Sequence, residues 1–279
     1  MCLPRTYVAV ILSLALVIPA LAQPAGTSAE QSSHQALSLL QQSLAVLTGG
    51  QSVTDVTLSG TARRIVGSED ESGAATLKAI AGTGARLELS LPSGPRSELR
   101  NTSGPKPVGS WSGPDGVQHA ISNHNLFTDP GWFPAFTISS LLSAPNAVIT
   151  YVDPEARDGQ SVIHITAFQQ FPTSTSLKQH LTQTEIFLDP STHLPVALAF
   201  NTHPDDNVLL DLPVEIRFSD YRPVSSVARG FSLAGASSPL VPFNVQKFLN
   251  NSLLLDLQFQ YAALNSGLSA SNFTVEAGL

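Results

Sequence analysis

The stretch VPFNVQKFLNNSLLLDLQFQ, Val241 to Gln260, decides how the rest of the chain is read. Leu253, Leu255, Leu257 and Phe259 fall on one side of a period-two alternation, with Leu254, Asp256, Gln258 and Gln260 on the other. Successive strand side chains point to opposite faces, so the pattern predicts two strands, 241–249 and 252–261, joined as a hairpin. Asn250-Asn251 is the turn, because asparagine tolerates positive φ. Burying each large apolar side chain is worth roughly 1.5–3 kcal/mol, so four are not left exposed on one face. Protein, a ligand or both must cover them.

The same rhythm runs outward from the hairpin. LPVEIRFSD places Leu212, Val214, Ile216 and Phe218 against Pro213, Glu215, Arg217 and Ser219, and ARLELSL places Ala85, Leu87, Leu89 and Leu91 against Arg86, Glu88 and Ser90. Further strands are expected at 54–66, 74–80, 147–153, 161–169, 181–189 and 195–200. Gly- and Pro-rich turns fall at 92–95, 104–107 and 113–116, with more at DPEARDG (153–159) and DPSTHLP (189–195). Short strands between tight turns predict one antiparallel sheet of about ten to twelve strands, curved or closed, and not βαβ units. No internal repeat and no linker to a second domain is visible.

Two segments read as helical. From Ser33, with Ser32 or Ser33 as the N-cap, Leu37, Leu40, Leu44 and Leu47 recur at helical spacing until Thr48-Gly49-Gly50. PGWFPAFTISSLL (130–142) carries Trp132, Phe133, Phe136, Leu141 and Leu142, with Pro134 acceptable in a first helical turn. The fold class expected is mainly β (α+β): a single curved antiparallel sheet or incomplete β-barrel, with two or three helices covering its concave face.

The chain opens MCLPRTYVAVILSLALVIPALAQPAG. Arg5 ahead of the apolar Tyr7–Ile18 and the small-residue site Ala20-Leu21-Ala22 predict a secretory signal peptide over 1–22, too short to span a bilayer. A flexible leader over 23–31 and one domain over 32–279 follow, with no transmembrane segment in the mature chain. Cys2 is the single cysteine and leaves with the signal, which excludes disulfides, thiolate metal sites and cysteine nucleophiles from the mature chain. About 257 residues can still stabilise one domain by burial. The absence of cysteine suits a bacterial periplasm, and Gln23 stands where a lipid-anchored precursor needs cysteine. With 14 Lys and Arg against 21 Asp and Glu and no basic cluster, nucleic acid and anionic membrane surfaces are poor partners.

Catalytic motifs are missing. GFSLAG (230–235) has one residue too many for a nucleophile elbow, and neither a His-Glu-x-x-His helix nor a phosphate-cradling Gly loop occurs. His119 and His124 are spaced for neither strand nor helix ligation, and Asp205-Asp206-Asn207 beside Pro204 reads as a solvated turn. No catalytic, cofactor or metal residues are assigned. The sites that remain are apolar. Leu253, Leu255, Leu257 and Phe259, under a cover of Leu37, Leu40, Leu44, Trp132, Phe133, Phe136 and Leu141, are either ordinary core or the walls of an apolar-ligand cavity.

The order of elements, with IFLDPSTHLPVAL (186–198), VEIRFSDYRPV (214–224) and VPFNVQKFLNN (241–251), resembles the LolA/LolB-like lipoprotein-carrier superfamily. The resemblance implies an unclosed β-barrel with helices in its concave face, a periplasmic location and a lipid or acyl-chain ligand. The Arg-Pro of the family's early strand, whose arginine locks the carrier's lid, has no counterpart in LKAIAGTGARLELSL (77–91), and ARGFSLAGASSPL (228–240) interrupts the run into the last hairpin. Three readings stand: a non-catalytic carrier or binding module for an apolar ligand; an envelope scaffold or sensor acting through a protein partner; and, least favoured, a secreted hydrolase with a dispersed site.

Overall fold

Thirteen strands form one antiparallel sheet in the computed structural model, which describes residues 28–104, 106–173, 176–225 and 237–275. The expected signal peptide, residues 23–27 of the leader and most of the 228–240 interruption lie outside the described residues. The strands are β1 (Asp55–Val66), β2 (Glu69–Ile80), β3 (Gly84–Leu91), β4 (Gly94–Asn101), β5 (Val108–Ser112), β6 (Gln118–Ala120), β7 (Ala147–Arg157), β8 (Gln160–Gln169), β9 (Thr184–Leu188), β10 (Pro195–Thr202), β11 (Leu212–Pro223), β12 (Leu240–Leu249) and β13 (Ser252–Leu264). The helices are α1 (Ser28–Thr48), α2 (Pro134–Ser143) and α3 (Ser176–His180). Among the described residues no helix is long and apolar enough to cross a membrane.

The sheet is two meanders joined at one seam. Its order runs β6-β5-β4-β3-β2-β1-β13-β12-β11-β10-β9-β8-β7, so only the β1–β13 pairing is non-local. Thirteen flat strands at ~4.8 Å spacing would be about 58 Å across. Yet side chains from β1–β3 and from β7–β13 share one apolar core with both long helices, and α1 touches β7 and β12. The sheet must therefore curl around the helices. Its free edges, β6 and β7, do not pair, and the barrel stays open. The connection from Ile121 to Asn146, carrying α2, runs from one edge to the other.

The opening hairpin forms as expected. Asn250 and Asn251 have φ of 49° and 62°, and Leu249 pairs with Ser252. The seam needs a glycine: a Cβ on Gly60 would sit 2.1 Å from the Gln258 carbonyl oxygen, beside a register shift between Ser59 and Gly60.

Several expectations are corrected. Helix α1 starts at Ser28, so residues 28–31 of the expected leader are helical, and Ser32 is no cap: its hydroxyl donates to the Tyr151 carbonyl at 2.8 Å. The buried stripe of α1 is Ala36, Leu40, Ser43 and Leu47, with Leu37 and Leu44 only partly buried, because small residues allow the helix to approach the sheet. Strands β4, β5 and β6 occupy the gaps between the expected turns, which raises the count to thirteen. The strand expected to end at 153 runs to Arg157, with the turn at Asp158 and Gly159. Pro154 is tolerated because β7 is an edge strand with an irregular register between Val152 and Glu155. Only α1 and α2 cover the curled face; α3, with no buried residue, packs beside β8.

Candidate functional site

On β13 the alternation does what its sequence requires over most of its length. Leu255, Leu257 and Phe259 are buried in the core. Near the hairpin it breaks: Lys247 pairs with Leu255 but Phe248 pairs with Leu253, leaving Leu254 as an extra residue. Such a bulge re-aims side chains. Leu254 joins Leu255 in the wall of a cleft, whereas Leu253, expected inside, is half-buried and takes no part in the core.

This cleft has a volume of about 310 Å³. Leu87 and Leu89 of β3, Val66 of β1, Leu254 and Leu255, and the two indoles Trp111 and Trp132 supply apolar surface. Arg64, Arg96, Glu98 and Lys247 supply charge, and no histidine lines it. Trp132 is positioned by the entry to α2. Gly131 adopts φ 71°, and Asp129 accepts hydrogen bonds from the Gly131 N–H at 2.7 Å and the Thr137 hydroxyl at 2.8 Å. Burial pushes the Asp129 pKa up, against those two bonds. Pro134 then opens the helix, where its missing N–H costs nothing.

The charges are ordered around Trp132. Lys247 lies 5.1 Å from its ring centroid and 3.7 Å from the Glu98 carboxylate. Arg100 donates to Glu98 at 3.0 Å and to the Asn125 carbonyl at 2.7 Å. Burial opposes ionisation of Glu98, but Lys247 and Arg100 outweigh it and hold its pKa at about 2, against an ordinary 4.5. Arg64 pairs with Glu69 at 2.8 Å, and Arg96 lies 3.7 Å from Glu71. The Arg96 Nε is buried without a hydrogen-bond partner. The arrangement can hold an apolar chain between leucine and indole walls, with paired arginines and carboxylates along its border.

The expected cavity residues do not surround one space. Trp132 and Leu255 line the cleft. Trp132 also borders a second hollow of about 220 Å³, with Phe133 and Phe136, and so lines both. Phe136 and Leu44 line a third, of about 440 Å³, whose walls include Gln41, Thr48, Gln51 and Ser52. Leu37, Leu40, Leu141, Leu257 and Phe259 line none of these three; they are packed in or against the core. Sequence reading missed Arg64, Arg96, Glu98, Trp111, Lys247 and Leu254. Only Leu87 and Leu89 carried a signal, the apolar face of ARLELSL. The two weighed histidines do separate things: His119 stacks on Trp111 at 4.3 Å between centroids, and the His124 Nε2 lies 3.2 Å from the Pro204 carbonyl.

No protein-family model matches the chain, and no curated protein does. Solved structures do match. One, from Vibrio parahaemolyticus, is described as an outer membrane lipoprotein-sorting protein domain: 14% identity over 86% of this chain and 97% of that one, TM-score 0.51. A DUF1329 family protein from Desulfovibrio piger is 10% identical over 87% of this chain and 97% of that one, TM-score 0.52. At such identities the likeness is one of fold. The open thirteen-stranded sheet wrapped on two helices is a fold that the chain shares with these two proteins.

Proposed function

We propose that the chain is an envelope binding or carrier module that holds the acyl chain of a lipid in the cleft between Trp111 and Trp132. The observation that carries this reading is the composition of that cleft: leucine and indole walls with arginines at Arg64 and Arg96 beside them. A volume of about 310 Å³ is at the small end of the range for small-molecule sites, roughly 300–1,000 Å³. That favours one acyl chain over a complete two-tailed lipid. Trp132 is the gate: if its indole turned, the cleft and the 220 Å³ hollow behind it would become continuous. The lipoprotein-sorting description of the Vibrio structure and the signal-like start of the sequence support a periplasmic lipid carrier.

Native mass spectrometry of protein isolated from its own envelope tests the reading. A mass excess of one acyl-bearing molecule, lost in Leu254→Gln, is expected. An unliganded mass, with no uptake of fatty acid or phospholipid afterwards, would contradict it. The scaffold reading has an observation of its own. Trp111 and Val117 are 45% and 50% exposed beside the free strand β6, a surface that a protein partner could cover.

A further inference from the structure

None of His180, His203 and Asp211 lines the cleft. His180 is the last residue of α3, His203 follows the last residue of β10, and Asp211 precedes the first residue of β11. The cluster thus forms where the loop between β10 and β11 folds back over the end of α3. The Nε2 atoms of His180 and His203 converge on the same Asp211 Oδ1, at 2.8 and 3.1 Å. Within the trio, one ligand atom from each residue lies within 4.8 Å of the other two. A zinc ion bound at ~2.0–2.1 Å holds tetrahedral ligand atoms about 3.3 Å apart, so the observed spacing needs only small side-chain rotations.

His203 is set for ligation by its surroundings. Its side chain is 1% exposed, and its Nδ1 is buried with no hydrogen-bond partner. Asn125 grips its backbone from both sides, accepting from the His203 N–H at 2.9 Å and donating to its carbonyl at 2.8 Å. The backbone that carries the ring is therefore held in place, which is part of the preorganisation a binding site needs. His180 and Asp211 have side chains 37% and 42% exposed, which leaves an entry path and an open coordination position.

We propose that His180, His203 and Asp211 form a binding site for a divalent cation of the zinc class, which fastens the β10–β11 loop to α3. Two imidazoles and one carboxylate match zinc. Calcium and magnesium prefer six or more oxygen ligands. Copper(II) and nickel(II) take the same donors and would compete. Without metal, the two rings can each donate Nε2–H to Asp211, so the experiment must separate a hydrogen-bonded trio from a metal site.

Full-length protein, purified without a histidine tag and stripped with chelator, is titrated with ZnCl2 by calorimetry at pH 7.5. One-to-one binding with a raised Tm is expected, about tenfold or more weaker in His180→Ala and in Asp211→Asn. Both residues are partly exposed, so neither variant removes core packing; visible absorption of bound Co2+ provides a second measure of ligation in the unaltered protein. His119→Ala should bind zinc unchanged, and MgCl2 and CaCl2 should not bind. Absence of zinc binding and of a Co2+ spectrum, zinc affinity in the two ligand variants unchanged from the unaltered protein, or equal binding of calcium would overturn the proposal.

Discussion

Glu98 offers a perturbation whose size follows from the structure. Its carboxyl is held at about 2 against an ordinary 4.5, burial opposing and the Lys247 and Arg100 charges prevailing. A carboxylate whose native pKa is depressed adds stability that is complete above the unfolded value and is lost as pH falls through the native one. At 1.36 kcal/mol for each tenfold change in proton affinity, the full contribution is about 3 kcal/mol. About 2 kcal/mol of it should be gone by pH 3, and most of the rest by pH 2. Glu98→Gln imitates the protonated group and leaves Lys247 and Arg100 without their shared partner. Urea denaturation of both proteins at pH 7 and pH 3 reads the difference, since the remaining carboxylates titrate in both. The variant should be less stable by about 3 kcal/mol at pH 7 and by about 1 kcal/mol at pH 3. The same deficit at both pH values would refute the charge cluster around Trp132.

Leu257, fully buried and lining none of the three cavities, should cost roughly 2–5 kcal/mol when changed to alanine, with lipid uptake by the folded protein unchanged in a binding assay. Gly60→Ala would drive a Cβ to 2.1 Å from the Gln258 carbonyl oxygen; thermal denaturation should show a loss of roughly 1–3 kcal/mol. At Asn251, φ 62°, valine should cost at least about 1–2 kcal/mol by chemical denaturation, whereas glycine should be neutral or stabilising, since Asn-Gly suits this turn.

What was legible in the sequence follows from which forces are local. The β12–β13 hairpin showed because period-two burial and an Asn pair act within twenty residues of each other. Trp132–Leu142 showed as helical because aromatic residues sat between Gly131 and Pro145. Strands β4 to β6 did not show: GPRSELRN and QHA have no apolar alternation, and their pairing comes from neighbours. The β1–β13 seam was invisible, since nothing in either strand names its partner. The same reason hides the site. Glu98 meets Lys247 only after the two meanders join at that seam, and His180 meets His203 and Asp211 only after two loops close. Trp132 and Leu255 were legible as apolar faces. Which apolar residues face an open cleft and which fill the core is decided by the bulge at Leu254, and that bulge has no sequence signature.

The central claim is that an acyl chain lies between Trp111 and Trp132, and the chain provides its own probe. These are its only two tryptophans, and both line the cleft. Titration with a fatty acid brominated at mid-chain reads occupancy directly, because bromine quenches an indole on contact. Saturable, one-to-one loss of tryptophan emission is expected, present in Trp111→Phe and in Trp132→Phe and weakened in Leu254→Gln. Emission unchanged at saturating brominated lipid, while the protein remains folded, would contradict the account.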